Sequence, residues 1–172
     1  MASGNTLLTF LPYQNEPPAT IYATLDVRTD AGTPVGARPC LDFDGSADEE
    51  AIFTGIMPSH YSAATGVTVK LHVAFTSATS GTANIEVSWE RVTGLDMDSA
   101  SFATMIDASA TPNATSGIET VVSIAFTQGA QMDSVVAGDL FRLKVRRDAD
   151  GTNGTDDVTT DMELYGIEIV ET

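Results

Sequence analysis

The chain is poor in the residues that most often carry chemistry or charge-driven binding. Cys40 is the one cysteine in 172 residues, so no internal disulfide can form. No four-thiolate zinc site is available, and Cys40, His60 and His72 make a poor mixed one. Cys40 itself reads as a small buried hydrophobe on a strand. Eight basic residues face 24 acidic ones, a formal net charge of −16 that repels phosphate backbones and anionic bilayers alike. Neither nucleic acid nor membrane is expected as a partner. Lys70 and Lys144 are the only lysines, a surface suited to solubility at high salt. No apolar run is long enough to span a bilayer. The start, MASGNTLLTFLPYQNEPPA, lacks a positive region ahead of its short apolar stretch, so it reads as mature sequence and not as a secretory leader.

Chemical motifs are equally scarce. There is no Gly-Lys-Ser/Thr phosphate loop, no Gly-x-Ser-x-Gly elbow and no histidine pair at helical spacing. Carboxylates are abundant, but nothing selects one pair of them for glycoside hydrolysis. No enzymatic activity and no cofactor are expected. No fixed-period repeat appears, which excludes a solenoid.

What the chain does have is alternation. In GVTVKLHVAF (66–75), Val67, Val69, Leu71, Val73 and Phe75 alternate with polar neighbours, and in ANIEVSWERV (83–92) Ala83, Ile85, Val87 and Trp89 do the same. Thr76–Thr82, with Gly81, has turn composition, so the two stretches are predicted to form a long antiparallel pair whose apolar face a second sheet must cover. Further strands are predicted at Ile21–Arg28, Cys40–Phe43, around Ile52–Ile56, at Ile118–Thr127, Leu140–Arg147 and over MELYGIEIVE. One short helical turn is predicted after Val92, capped by Asp98 or Ser99, with Phe102 and Met105 or Ile106 at helical spacing. About eight strands with at most one helical turn specify an all-β antiparallel sandwich, most simply a jelly roll. At 42% apolar and 19% charged, the chain reads as one globular domain, residues 19–172, preceded by an arm, residues 1–18.

Three groups of residues are candidates for contact. The arm carries Leu7, Leu8, Phe10, Leu11 and Tyr13 before its prolines. It either packs back across its own sandwich or reaches onto a neighbouring subunit, where each buried Leu or Phe would contribute roughly 1.5–3 kcal/mol. Arg142, Lys144, Arg146 and Arg147 hold half of the positive charge within six residues. They either pair with Glu86, Glu90 or Glu119 across strands or dock on an acidic partner. Asp148, Asp150 and Asp156 offer the hard oxygens calcium uses, but the glycine comes too early and no glutamate stands at the twelfth position of an EF-hand loop. A solvated acidic hairpin loop is therefore expected there, as it is for DFDGSADEE, and no metal.

The order NEPPA, a strand ending in a DFD-type turn, AIFTGIMPSHYSAATGVTVKLHVAFTSATSGTANIEVSWERV, GDLFRLKVRRDA and MELYGIEIVE resembles small β-sandwich virion proteins of tailed bacteriophages. Its most specific part is Gly138-Asp139-x-Phe141-Arg142-x-x-x-Arg146-x-Asp148 with the preceding long hairpin. The resemblance implies a structural role without chemistry. It favours a capsid decoration, or cement, protein that forms homotrimers on the outer surface of the phage head, against the major capsid protein. The alternative is a tail or fibre module presenting loop aromatics such as Tyr61 or Tyr13 to a host surface glycan.

Overall fold

The computed structural model describes residues 4–99 and 101–172, so residues 1–3 of the expected arm and Ala100 lie outside the described residues. Ten strands follow one another: β1 Thr6–Phe10, β2 Thr24–Thr29, β3 Ala37–Phe43, β4 Glu49–Ile56, β5 Gly66–Phe75, β6 Ala83–Arg91, β7 Ile106–Ala110, β8 Thr120–Thr127, β9 Leu140–Arg147 and β10 Met162–Glu171. They form two antiparallel sheets. One has six strands in the order β2-β3-β10-β5-β8, with β1 pairing β10 off this path; the other has four in the order β4-β9-β6-β7. The all-β antiparallel sandwich is as the alternation requires. Among the described residues no helix is long and apolar enough to cross a membrane.

The predicted pairing of the central hairpin is overturned. β5 pairs β10 and β8, whereas β6 pairs β9 and β7 in the opposite sheet. Thr76–Thr82 is an arch between sheets, turning at Gly81 with φ of 99°. The apolar faces of the two strands, Val67 to Phe75 and Ala83 to Trp89, are thus each other's cover across the core, all at 2% exposure or less. An aromatic seam crosses the same interface. Trp89 lies 4.8 Å from Phe141 and 6.1 Å from Phe126, and Phe10 lies 5.5 Å from Phe53 and 6.4 Å from Phe141 between ring centroids.

Two further expectations change. Among the described residues the helical turn after Val92 does not form: residues 101–105 are irregular and β7 begins at Ile106. Phe102 stands over the Arg142 and Lys144 cations at 5.0 and 4.8 Å, so its spacing from Ile106 reflects a clamp on β9 and not a helix face. Short 3-10 turns occur instead at Pro12–Gln14 and Ala130–Met132. The segment assigned to an arm contains β1, hydrogen-bonded to the Ile167–Val170 half of β10, while β3 takes the Met162–Leu164 half. The ladder shifts register at Gly166, where the two partners give way to each other.

At one end of the core Arg147 is fully buried. Its guanidinium meets Asp156 at 3.0 Å through two nitrogens and donates to the carbonyls of Thr160 (2.7 Å) and Val158. This bidentate pair ties the long β9–β10 connection onto the sandwich.

Because Phe10 sits in the aromatic seam, Phe10→Ala should lower unfolding free energy by about 3–5 kcal/mol. Removal of residues 1–14 should abolish cooperative folding. Urea titration followed by Trp89 fluorescence measures both; an unchanged midpoint would exclude β1 from the folding unit.

Candidate functional site

The five apolar residues expected to contact a neighbour divide between two environments. Leu7 and Phe10 are buried in the chain's own core and Leu8 is half-buried, whereas Leu11 and Tyr13 stand 58% and 66% exposed. Tyr13 sits on the 3-10 turn that Pro12 opens. The turn is closed locally: Leu11 N–H donates to Gln14 Oε1 at 2.8 Å and Gln14 N–H to the Leu11 carbonyl at 2.9 Å. The following segment is fastened to the free edge of β4. Glu16 N–H donates to the Ile52 carbonyl (2.7 Å), Ile52 N–H to Asn15 Oδ1 (2.9 Å), Glu50 N–H to the Ile21 carbonyl (2.8 Å) and Ala23 N–H to the Glu50 carbonyl (3.0 Å).

Between these anchors Ile21 adopts a φ of 52°, which ends the strand predicted from Ile21 and delays β2 to Thr24. That reversal puts Tyr22, 44% exposed, in one groove with Tyr13. The two tyrosines, with Pro12, Pro17, Leu25 and Leu41, line an open groove of about 300 Å³ whose walls are largely apolar. Tyr22 was hidden within a predicted strand. The signal for it was the run Pro17-Pro18-Ala-Thr-Ile-Tyr, where prolines make a continuous strand into Tyr22 improbable. Tyr61, the other aromatic expected on a loop tip, is 4% exposed; its hydroxyl is held by Gln128 Oε1 at 2.5 Å, and burial pushes it up to about 12.

The basic strip is paired within the chain. Arg142 bonds Glu90, Lys144 lies 3.2 Å from Glu50, and Arg146 lies 2.6 Å from Glu86. Two of the three glutamates expected as partners are used; Glu119 instead meets His72 at 2.6 Å. The remaining cations are also engaged, Arg28 with Glu163, Arg38 with Asp30, Lys70 with Glu168, Arg91 with Asp139 and Arg147 with Asp156. All eight basic side chains of the sequence are therefore in ion pairs. No free cationic patch is left for a polyanion. Glu90 is fully buried on this outer face, capped by the Ser101 N–H and covered by the loop that places Phe102.

The acidic loop is rearranged relative to expectation. Asp156 is consumed by Arg147, while Asp48, from the other acidic stretch, joins Asp148 and Asp150, with one carboxylate oxygen of each within 4.8 Å of the others. A second acidic recess is lined by Thr24, Asp42, Asp44, Glu49 and Asp161. Burial first, then the charges of Asp161, Glu163, Asp26 and Glu49, push Asp42 up to about 6. Cys40 is fully buried on β3, its thiol pushed up to about 12 by burial and by Glu163, Asp42 and Asp26. It is a packed residue, as expected.

No protein-family model matches the chain, and no curated protein does. Solved structures share the fold. The N-terminal tandem carbohydrate-binding modules of Paenibacillus barcinonensis Xyn10C superpose with a TM-score of 0.56 at 14% identity, covering 99% of this chain and 51% of that one. A family 35 carbohydrate-binding module from an environmental isolate gives 0.51 at 10% identity, covering 95% and 92%. The xylan-binding second module of the same Xyn10C gives 0.50 at 13% identity, covering 92% of each chain. At these identities the likeness is one of fold.

Asp42 supplies a test of the electrostatics. Its folded-state value stands above the ordinary carboxylate value of about 3.9, so between about pH 4 and 6 the folded protein holds a proton the unfolded chain has released. Its contribution favours folding at the acid end and is withdrawn as pH rises through about 6. Asp42→Asn should be more stable than the parent at neutral pH, the gap closing toward about pH 4. Urea midpoints at both pH values decide it, and equal midpoints at neutral pH would deny the strain.

Proposed function

We propose that the chain is a non-enzymatic glycan-binding β-sandwich module whose contact surface is the Tyr13–Tyr22 groove. The observation that carries this reading is one largely apolar groove lined by two exposed tyrosines, on backbone fastened to β4. Pyranose rings present apolar C–H faces that stack on aromatic rings, while Asn15 and Thr24 at the groove wall supply polar partners for hydroxyls. Rigid anchoring limits the ordering entropy lost on binding. The fold shared with carbohydrate-binding modules supports the reading, and the net charge of −16 selects neutral over polyanionic glycans.

The sequence resemblance to phage virion proteins supports a virion setting, and within it a glycan-binding role corresponds to a tail or fibre module with a host surface glycan as partner. The head-decoration reading, a homotrimer on the major capsid protein, draws on one observation. Edge strand β2 exposes Leu25 (53%) and Val27 (42%) and is free along one side, a surface open to strand pairing with another copy.

A polysaccharide and glycan array, with xylan among its neutral probes, should give saturable binding. Tyr13→Ala and Tyr22→Ala should each weaken it about tenfold, a loss of about 1.4 kcal/mol, with unfolding midpoints unchanged because both rings are exposed. An array without a binder, together with retention on purified phage heads, would replace the glycan reading by decoration.

A further inference from the structure

We infer that Asp48, Asp148 and Asp150 form a binding site for a calcium ion, one that bridges the β3–β4 and β9–β10 connections. The placement follows from register. β4 and β9 are antiparallel neighbours with Glu49 opposite Arg147, so Asp48, just before one strand, and Asp148, just after the other, are the next pair along the ladder. Asp150 is drawn in by its own backbone, whose N–H donates to Asp48 Oδ1 at 3.2 Å. One oxygen from each carboxylate lies within 4.8 Å of the others. Three carboxylates from two loop connections are the hard oxygen donors calcium takes in flexible geometry, whereas magnesium usually binds one or two carboxylates and keeps several of its waters.

The independent pointer is Asp148. Its side chain is fully buried, yet the two oxygens are treated differently. Oδ2 accepts from Asn84 Nδ2 (3.0 Å), Asn153 N–H (2.9 Å) and Gly154 N–H (3.1 Å), which fixes the carboxylate's orientation. Oδ1 is buried and accepts no hydrogen bond; its nearest cation, Arg146 Nη2, is 3.6 Å away. A buried carboxylate oxygen without a donor is costly unless something binds it. Arg146 offers that oxygen a long ion pair and no hydrogen bond. Its Nε is committed to Glu86 at 2.6 Å, and it stands 3.6 Å from Asp48 as well.

Charge counting agrees. Asp48, Asp148, Asp150 and Glu86 contribute four negative charges and Arg146 one positive, which leaves three uncompensated; a divalent ion would reduce that to one. The ion would join the start of β4 to a connection already tied down by Arg147 and Asp156, so its role is structural. It is independent of the glycan reading.

The experiment uses the full chain, stripped with EDTA, then titrated with calcium chloride by calorimetry and by thermal unfolding. Expected is one saturable site per chain with Kd of about 10⁻⁴–10⁻³ M, as in other calcium-binding modules of modest affinity, magnesium binding at least about tenfold more weakly. The unfolding midpoint should climb steadily with calcium concentration once the site begins to fill. Asp148→Asn endangers the three bonds its carboxylate accepts, so the deciding variants are Asp48→Asn and Asp150→Asn, on more accessible side chains. Each should weaken calcium at least about tenfold, whereas Asp98→Asn, on an exposed turn elsewhere, should leave it unchanged. Absence of heat and of any midpoint shift at about 10 mM calcium would overturn the site, as would undiminished affinity in Asp48→Asn and Asp150→Asn.

Discussion

The structure depends on two strands that face each other without sharing a hydrogen bond. β5 and β6 carry the longest alternating patterns in the chain, and a hairpin between them would have put both apolar faces on one side of one sheet. With the Thr76–Thr82 arch they lie in opposite sheets, each face buried by the other, and every remaining strand extends one sheet or the other around them. Burying the five inward residues of β5 with Ile85, Val87 and Trp89 of β6, at about 1.5–3 kcal/mol each, supplies a large favourable term of the fold. Trp89 and Phe141 then fill the space between sheets too wide for aliphatic side chains alone.

The same division explains the charges. Outward positions on β6 and β9 are not solvated in the ordinary way: Glu86, Ser88 and Glu90 are buried, and the two carboxylates need partners. Arg142 and Arg146 supply them, and Phe102 shields Arg142 and Lys144 from water. A buried carboxylate left alone would cost several kcal/mol, so half of the chain's cations gather on β9 to meet carboxylates inside the molecule, not a partner outside it. The excess negative charge is left to the loops and edges.

How much of this was legible follows from where alternation is intact. β5, β6 and β9 keep a strict period of two, and their inward residues were readable directly, whereas β10 slips between Leu164 and Gly166 so that Ile167 and Ile169 continue the inward face of Met162 and Leu164. β1 was not, because its ladder with β10 shifts between Thr6 and Leu8 and puts Leu7 and Phe10 inward, three residues apart. β7 offers only Ile106, Ala108 and Ala110 to the core, and alanine carries little strand preference. Which strand pairs with which was not written in the pattern, since a face that needs cover is satisfied equally by a hairpin partner's sheet or by the hairpin partner itself. The surfaces were less legible still. Tyr13 stood out as an apolar residue near prolines, but its partner Tyr22 depends on the reversal at Ile21, and Asp48 joins Asp148 only through the β4–β9 register.

Both surfaces are organised along β4, the edge of the four-stranded sheet. An open edge invites pairing with other chains, and here residues 15–23 cover it through four hydrogen bonds to Glu50 and Ile52, so the covering segment becomes a rigid mount for two tyrosines. The edge of the larger sheet, β2, has no such cover and carries Leu25, which also lines the tyrosine groove. Any strand pairing at β2 would therefore change the groove's wall. Ligand binding and self-association would then be coupled through one residue, because a second copy paired along β2 meets Leu25 at the groove's wall.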